Sequence, residues 1–201
     1  MLDAYVSAHG GASTITAAVG PAKATMRRLG SFLVDVARLG FEEALRQNGL
    51  ENLIGQGSEA VLLGIADLVC VEGATLDEAD ARYAAIEVFN KMLDEATTEE
   101  ELAFLIENKA TGEGVEELFE QFVIQFVYGK MIRELGERIE GAPVDVSTKR
   151  AHSQEILYYI ASRVKLEMVK RGDIAELDFN GKEGEEIVNQ VVQGAYEVFV
   201  L

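Results

Sequence analysis

Apolar residues recur at steps of three and four along most of the chain, which is the spacing that places them on one face of an α-helix. The clearest example consists of Leu76, Ala79, Tyr83, Ile86, Phe89 and Leu93. Thr75 and Glu78 precede it with the spacing of a capping box, in which each side chain bonds to the other residue's backbone N–H. Thr98 and Glu101 repeat this start signal. The pattern therefore predicts two helices that begin directly after Thr75 and Thr98.

The longest predicted helix spans about residues 115–140 and carries three phenylalanines within eight residues. Its apolar stripe and that of residues 76–93 are the longest and most regular in the chain, so we expect them to meet in the core. The residues expected at the centre are Phe119, Phe122, Phe126, Tyr83 and Ile86. An aromatic stripe could also line a ligand cavity, but core packing is the favoured interpretation.

Glycines and capping residues delimit the other predicted helices. These segments are residues 21–40, 41–49, 58–73, 98–106, 148–171 and 184–194, and Ser58 is expected to cap the one that it begins. Residues 173–180 could form one short strand. About eight helices without strand–helix alternation predict an all-α fold, a single-domain bundle. Residues 1–24, rich in Gly, Ala, Ser and Thr, are expected to form a lead-in or the end of a tail before a helical domain at residues 25–201.

Apolar residues make up 48% of the 201-residue chain, which is too many for a disordered protein. The formal net charge of -17 repels phosphate backbones and anionic lipid headgroups, so nucleic-acid binding over the whole surface is not expected. Residues 148–171 nevertheless carry six basic and two acidic side chains, and residues 1–40 carry four and two. The basic helix, residues 148–171, either packs across acidic helices of the same fold or forms a local patch for an anionic ligand.

No segment has the sequence features of a membrane span or a secretory signal. The single cysteine, Cys70, cannot form an internal disulfide, which is typical of a protein in a reducing compartment. We therefore expect a cytoplasmic location. Because Cys70 lies on an apolar helix without a histidine nearby in the sequence, we expect it to be an inert core thiol.

Candidate catalytic side chains are few. The histidines are His9 and His152, and His152 with Glu155 is interpreted as a surface pair rather than as two metal ligands. Paired acidic residues fall at predicted helix starts, where the helix dipole stabilises their charge; they are Glu42 and Glu43, Glu116 and Glu117, and Glu185 and Glu186. No P-loop, dinucleotide, zinc or nucleophile-elbow motif occurs. We therefore expect no enzymatic activity, cofactor or metal.

Residues 64–93 combine a helix that ends near a Leu and a Cys, a turn with a glycine, and a helix that begins Leu-Asp-Glu and continues to Ala-Arg. In this chain the pattern consists of Leu68, Cys70, Gly73, Leu76, Asp77, Glu78, Ala81 and Arg82. With residues 121–140 and 149–164, and more loosely residues 27–33, it resembles the B component of the Qat antiphage defence systems. The resemblance extends over most of the chain.

This resemblance implies a bacterial operon of four components: an ATPase, this protein, a QueC-like ATP-dependent enzyme and a TatD-like nuclease. Family members usually carry a long Gly/Ser/Pro-rich amino-terminal tail, a candidate for recognition or modification by the QueC-like enzyme. The chain could then be a protein substrate of that enzyme. Because it begins at Met1 and Leu2, we expect almost no tail here.

The resulting hypothesis is a non-enzymatic subunit of the defence system that binds operon partners. The QueC-like enzyme is the foremost candidate, and the ATPase and the nuclease are further ones. The proposed contact residues are Arg27, Arg28, Lys149, Arg150, Arg163 and Lys165. The alternative hypothesis is a nucleic-acid or nucleotide-binding helical module that uses the same cations.

Overall fold

The computed structural model describes residues 20–70, 75–140, 154–162 and 164–166, and all regular structure within them is helical. Its elements are α1 (Gly20–Leu39), α2 (Phe41–Gln47), a 3-10 turn (Glu51–Leu53), α3 (Ser58–Val69), α4 (Leu76–Glu95), α5 (Glu99–Lys109) and α6 (Glu113–Glu140). Within the predicted basic helix, residues 154–162 and 164–166 are helical. The all-α prediction is confirmed, with slightly fewer helices in these residues than expected. The predicted elements at residues 173–180 and 184–194 lie outside the described residues.

The two predicted capping boxes are present at the starts of α4 and α5. The Thr75 hydroxyl accepts from the Glu78 backbone N–H at 3.3 Å, and the Thr75 N–H donates to the Glu78 carboxylate at 2.9 Å. Thr98 and Glu101 repeat both bonds at 3.2 Å. Hydrogen bonds from Thr75 lower the pKa of Glu78, because they stabilise its charged form. Local sequence therefore sets both helix starts.

The prediction that Ser58 caps α3 is wrong. Gly57 is the N-cap, with a φ of 93°, and Ser58 is the first helical residue. The Ser58 hydroxyl is buried and has no hydrogen-bond partner among the described residues. The loop before α3 is instead held by Glu99 of α5, whose carboxylate accepts from the Gly55 N–H at 2.8 Å and from the Gly57 N–H at 3.1 Å. A side chain from another helix thus holds the loop that leads into α3, and the N-cap residue of α3 provides no side-chain cap.

The core is centred on the phenylalanines of α6, as predicted. Phe119 is 1% exposed, Phe122 and Phe126 are 0% exposed, and the last two rings stack with centroids 6.4 Å apart. The expectation for Tyr83 is wrong, because 48% of this residue is exposed. The buried face of α4 includes three alanines and consists of Asp80, Ala81, Ala84, Ala85, Val88, Phe89 and Met92. Ile86 packs against the edge of the core.

Helices α4 and α6 run antiparallel and form the most extensive helix pair among the described residues. Their register is visible at both ends, because Asp77 pairs with Lys130 and Lys91 donates to Gln121 at 2.6 Å. Between these contacts, a Cβ added at Gly129 would lie 3.4 Å from the Tyr83 ring. The Tyr83 ring therefore lies against α6 beside Gly129, at the rim of the core.

Candidate partner-binding surface

One side of the basic helix is fixed in the core. Ile160 and Val164 are 0% exposed, and Ile156, Leu157 and Ala161 are partly buried against the core. These positions recur at steps of three and four, so they share one helix face. The described part of the basic helix is therefore an integral element of the bundle rather than an appendage.

The opposite side of the same helix carries large side chains that face solvent. Tyr158 is 77% exposed, Tyr159 is 47% exposed and Leu166 is 49% exposed. Ser162 and Lys165 are also exposed, and the Ser162 hydroxyl donates to the Tyr158 carbonyl at 2.9 Å. We call these residues the outer face: Tyr158, Tyr159, Ser162, Lys165 and Leu166. At 3.6 residues per turn they fall within one sector of the helix, about a third of its circumference.

The six cations proposed from the sequence have different surroundings. Arg27 and Lys165 lie at the surface. Arg28 donates from Nη1 to the Cys70 carbonyl at 2.9 Å, which gives it a structural role between α1 and the end of α3. The other three, Lys149, Arg150 and Arg163, lie outside the described residues. Their use in partner binding stays a prediction.

Cys70 follows the last residue of α3 and is 2% exposed, so its predicted burial is confirmed. Burial raises the pKa of its thiol to about 11. The positive charge of Arg82 lowers the pKa, but by less than burial raises it. The thiol is therefore protonated at neutral pH and poorly nucleophilic. Cys70 is the C-cap of α3, so it lies just after the apolar helix rather than on it as expected from the sequence.

A group of four charged residues joins α4 to α6, and sequence reasoning did not find it. Arg133 donates from Nε to both carboxylate oxygens of Asp80, at 3.1 Å and 3.0 Å, and from Nη2 to one of them at 2.6 Å. Asp77 pairs with Lys130, whose side chain is 4% exposed. We call Asp77, Asp80, Lys130 and Arg133 the charge cluster. Its two carboxylates offset its two cations, so it joins the helix pair without a net charge.

The residues that carry the family resemblance have structural roles in this region. Asp77 belongs to the charge cluster, Glu78 completes a capping box, and Ala81 is 2% exposed in the core. Arg82 pairs with Asp67 of α3 across the surface. Asp77 and Arg82 therefore join α4 to neighbouring helices, and Glu78 fixes the start of α4.

Three of the paired acidic residues singled out in the sequence form ion pairs with basic residues. Glu42 and Glu43 both pair with Arg46, and Glu117 pairs with Lys109. His9, His152 and the pair at residues 185–186 lie outside the described residues. Within the described ranges, no group of three or more His, Cys, Asp or Glu side chains is placed to hold a metal ion. None of the helices in that part of the chain is both long enough and apolar enough to span a bilayer.

A shallow cavity of about 140 Å³ lies between α4, α5 and α6. Its lining consists of Val88, Lys91, Met92, Glu95, Lys109, Glu117, Leu118 and Gln121. Pockets that enclose drug-sized ligands usually measure about 300–1,000 Å³. This cavity is therefore too small to enclose a nucleotide, and the nucleotide-binding alternative gains no support from it.

The family comparison agrees with this architecture. The profile described as Qat anti-phage system associated protein QatB matches residues 10–199. No curated protein and no solved structure matches the chain. Because the profile extends over nearly all of the 201 residues, the chain belongs to the QatB family of the Qat anti-phage system.

Proposed function

We propose that this protein is a non-enzymatic subunit of the Qat system that acts by binding other components of its operon through the basic helix. The observation that carries the proposal is the outer face, where Tyr158 is 77% exposed on the same side of the helix as Tyr159 and Leu166. Tyrosine is enriched at the centres of protein interfaces, because it combines a large apolar area with a polar end. The other side of the helix is anchored in the core, so the outer face is presented on a rigid support.

Charge supports the same surface. Residues 41–94 carry three basic and eleven acidic side chains, and residues 95–140 carry four and twelve, whereas the basic helix has an excess of cations. An acidic partner is therefore repelled less by the basic helix than by the acidic segments of the chain. The QueC-like enzyme is the first partner to test, since the family resemblance implies it. The ATPase and the TatD-like nuclease are the next ones.

The test reverses the charge of the basic helix and measures capture of the QueC-like neighbour and of a DNA duplex at two salt concentrations. The variant is Arg150→Glu with Arg163→Glu. The matched control is Arg38→Glu with Arg46→Glu, which changes the net charge equally but lies on α1 and α2, where both arginines have exposed ion pairs. Thermal melting checks that each variant is folded.

We expect capture of the QueC-like protein to be lost in the first variant and kept in the control. Capture should also persist at the higher salt concentration, because apolar contacts contribute to it. The proposal fails if capture persists in both variants while the chain binds DNA in a salt-sensitive way that only the first variant abolishes. That result would favour the nucleic-acid module.

A further inference from the structure

We propose that α5 is a conformational unit that holds the segments leading into α2 and α3 and releases both when it opens. Two of its glutamates carry this inference, which does not depend on the proposed function. Glu107 accepts from the Phe41 N–H, the first of α2, at 2.9 Å. Glu99 accepts from the Gly55 and Gly57 N–H groups, which precede α3, at 2.8 Å and 3.1 Å. One helix thus provides the acceptors at two separate places in the chain.

The N-caps of α2 and α3 cannot provide these acceptors themselves. They are Gly40 and Gly57, with φ values of 83° and 93°, and glycine has no side chain with which to accept from an N–H. A Cβ added at Gly40 would lie 3.5 Å from Oε1 of Glu107, so this carboxylate lies beside the N-cap of α2. The N–H groups at both places therefore bond to a helix that comes later in the chain.

The two carboxylates are coupled, because the same helix positions both. Glu99 and Glu107 are eight residues apart, which corresponds to about 12 Å along the helix axis. The whole of α5 has 11 residues. Isolated helices shorter than about 12–15 residues are marginal in water. A detached α5 therefore loses its helical form, and with it the spacing that holds the two carboxylates at their acceptor positions.

Opening of α5 should require less free energy than opening of the pair formed by α4 and α6. Two residues of α5 are buried, Leu102 and Ile106, whereas α4 has seven buried residues. Elements with few buried apolar contacts open at the low end of the stability range. The opening still exposes apolar surface, because Leu102 and Ile106 are 0% and 2% exposed in the closed state. It should therefore become easier with added urea, unlike the fluctuation of one side chain.

The experiment measures amide hydrogen exchange of the full chain by NMR at several low urea concentrations. We expect the N–H groups of Phe41, Gly55 and Gly57 to share one opening free energy and one urea dependence with the Ile106 N–H inside α5. This opening free energy should be lower than that of the Phe122 N–H in the core of α6.

Two variants test the coupling between the ends of α5. Glu107→Ala should accelerate exchange at the two glycine amides about tenfold or more, because it weakens the attachment of the whole helix although it removes no bond to them. Glu99→Ala should accelerate exchange at the Phe41 amide similarly. Asn108→Ala is the matched control, because this exposed neighbour of Glu107 makes no side-chain hydrogen bond to the described residues, and it should leave all three amides nearly unchanged.

The inference is overturned if each glutamate variant accelerates exchange only at its own bonding partners, since the two ends would then open separately. It is also overturned if the three amides exchange without dependence on urea, which indicates local fluctuation. An opening free energy equal to that of the Phe122 amide would likewise overturn it, because α5 would then open only when the whole protein unfolds. The last two comparisons use the unmodified chain, so they decide the matter even if a variant fails to fold.

Discussion

Arg133 donates hydrogen bonds from Nε and Nη2 to the carboxylate of Asp80, which lies 53 positions earlier in the chain. Asp80 is 8% exposed, so its charge is largely removed from water and depends on this partner. The bond joins the first turns of α4 to the second half of α6, beside the pair formed by Asp77 and Lys130. Ion pairs thus join α4 and α6, the most extensive helix pair among the described residues, at one end. The buried phenylalanines of α6 contribute apolar packing along its length.

Replacing Asp80 with Ala should destabilise the fold. Arg133 would lose its bidentate partner in a place where water can replace the carboxylate only in part. We expect a loss of about 1.5–3 kcal/mol in the free energy of unfolding, measured by urea denaturation. The control is Asp67→Ala, which breaks an ion pair between side chains that are 43% and 62% exposed, and should cost less than about 1 kcal/mol. Equal losses in the two variants would contradict a special role for the charge cluster.

Replacing Phe122 with Ala should be the more damaging change. The ring is 0% exposed and stacks on Phe126, so its removal leaves a cavity in the middle of the core. Large-to-small changes of this kind cost about 3–5 kcal/mol. Phe104→Ala, on an exposed face of α5, should change the stability by less than about 0.5 kcal/mol. An unchanged unfolding midpoint for Phe122→Ala would show that the core is centred elsewhere.

Cys70 should react slowly with thiol reagents in the folded protein. Burial raises the pKa of its thiol to about 11, so almost no thiolate is present at pH 8, and access is restricted as well. Because the pKa is higher in the folded state than its ordinary value of about 9, the unfolded chain releases this proton first as the pH rises. Stability from this group should therefore be intact below about pH 9 and decrease between about pH 9 and 11.

Labelling kinetics with a chromogenic disulfide test this expectation, with the urea-unfolded chain as the reference. Cys70→Ala should show less of this decrease in stability between pH 9 and 11. A folded-state rate close to that of the unfolded chain would show an accessible thiol and would reopen a reactive role for Cys70.

Glu99 should hold the loop before α3 in place. Its carboxylate accepts three backbone hydrogen bonds, two from the Gly55 N–H and one from the Gly57 N–H. Glu99→Ala should therefore accelerate hydrogen exchange at both glycine amides. Glu100→Ala is a matched control, because Glu100 also lies in the first turn of α5 and its loss weakens the interaction with the helix dipole similarly. Equal exchange rates in the two variants would show that the loop is held by other contacts.

Features encoded within a few residues were predictable from the sequence. Both capping boxes were found because Thr75 and Thr98 each lie three residues before a glutamate with which they bond. The burial of the α6 phenylalanines was predictable because three large apolar rings on one helix face strongly favour burial of that face. The family was also identified from short motifs, and the profile match confirms it.

Features that depend on distant residues were missed. Ser58 is a residue type that often caps helices, but Gly57 is the N-cap of α3. The Gly57 N–H donates to the carboxylate of Glu99, which lies 42 positions further along the chain. The size of the Tyr83 ring favours a core position in a sequence-based prediction, whereas the buried face of α4 includes the small residues Ala84 and Ala85. Charge alone identified the cations proposed for partner binding. The sequence did not show that one of them, Arg28, donates a hydrogen bond to the Cys70 carbonyl.

The central claim, that this QatB-family protein acts by binding its operon partners, is tested most directly by the mass of the complexes that it forms. The full chain is co-expressed with its operon neighbours and separated by size-exclusion chromatography with light scattering. We predict co-elution with the QueC-like protein, lost in Arg150→Glu with Arg163→Glu and kept in Arg38→Glu with Arg46→Glu. Elution of the unmodified chain apart from every operon neighbour would contradict the claim.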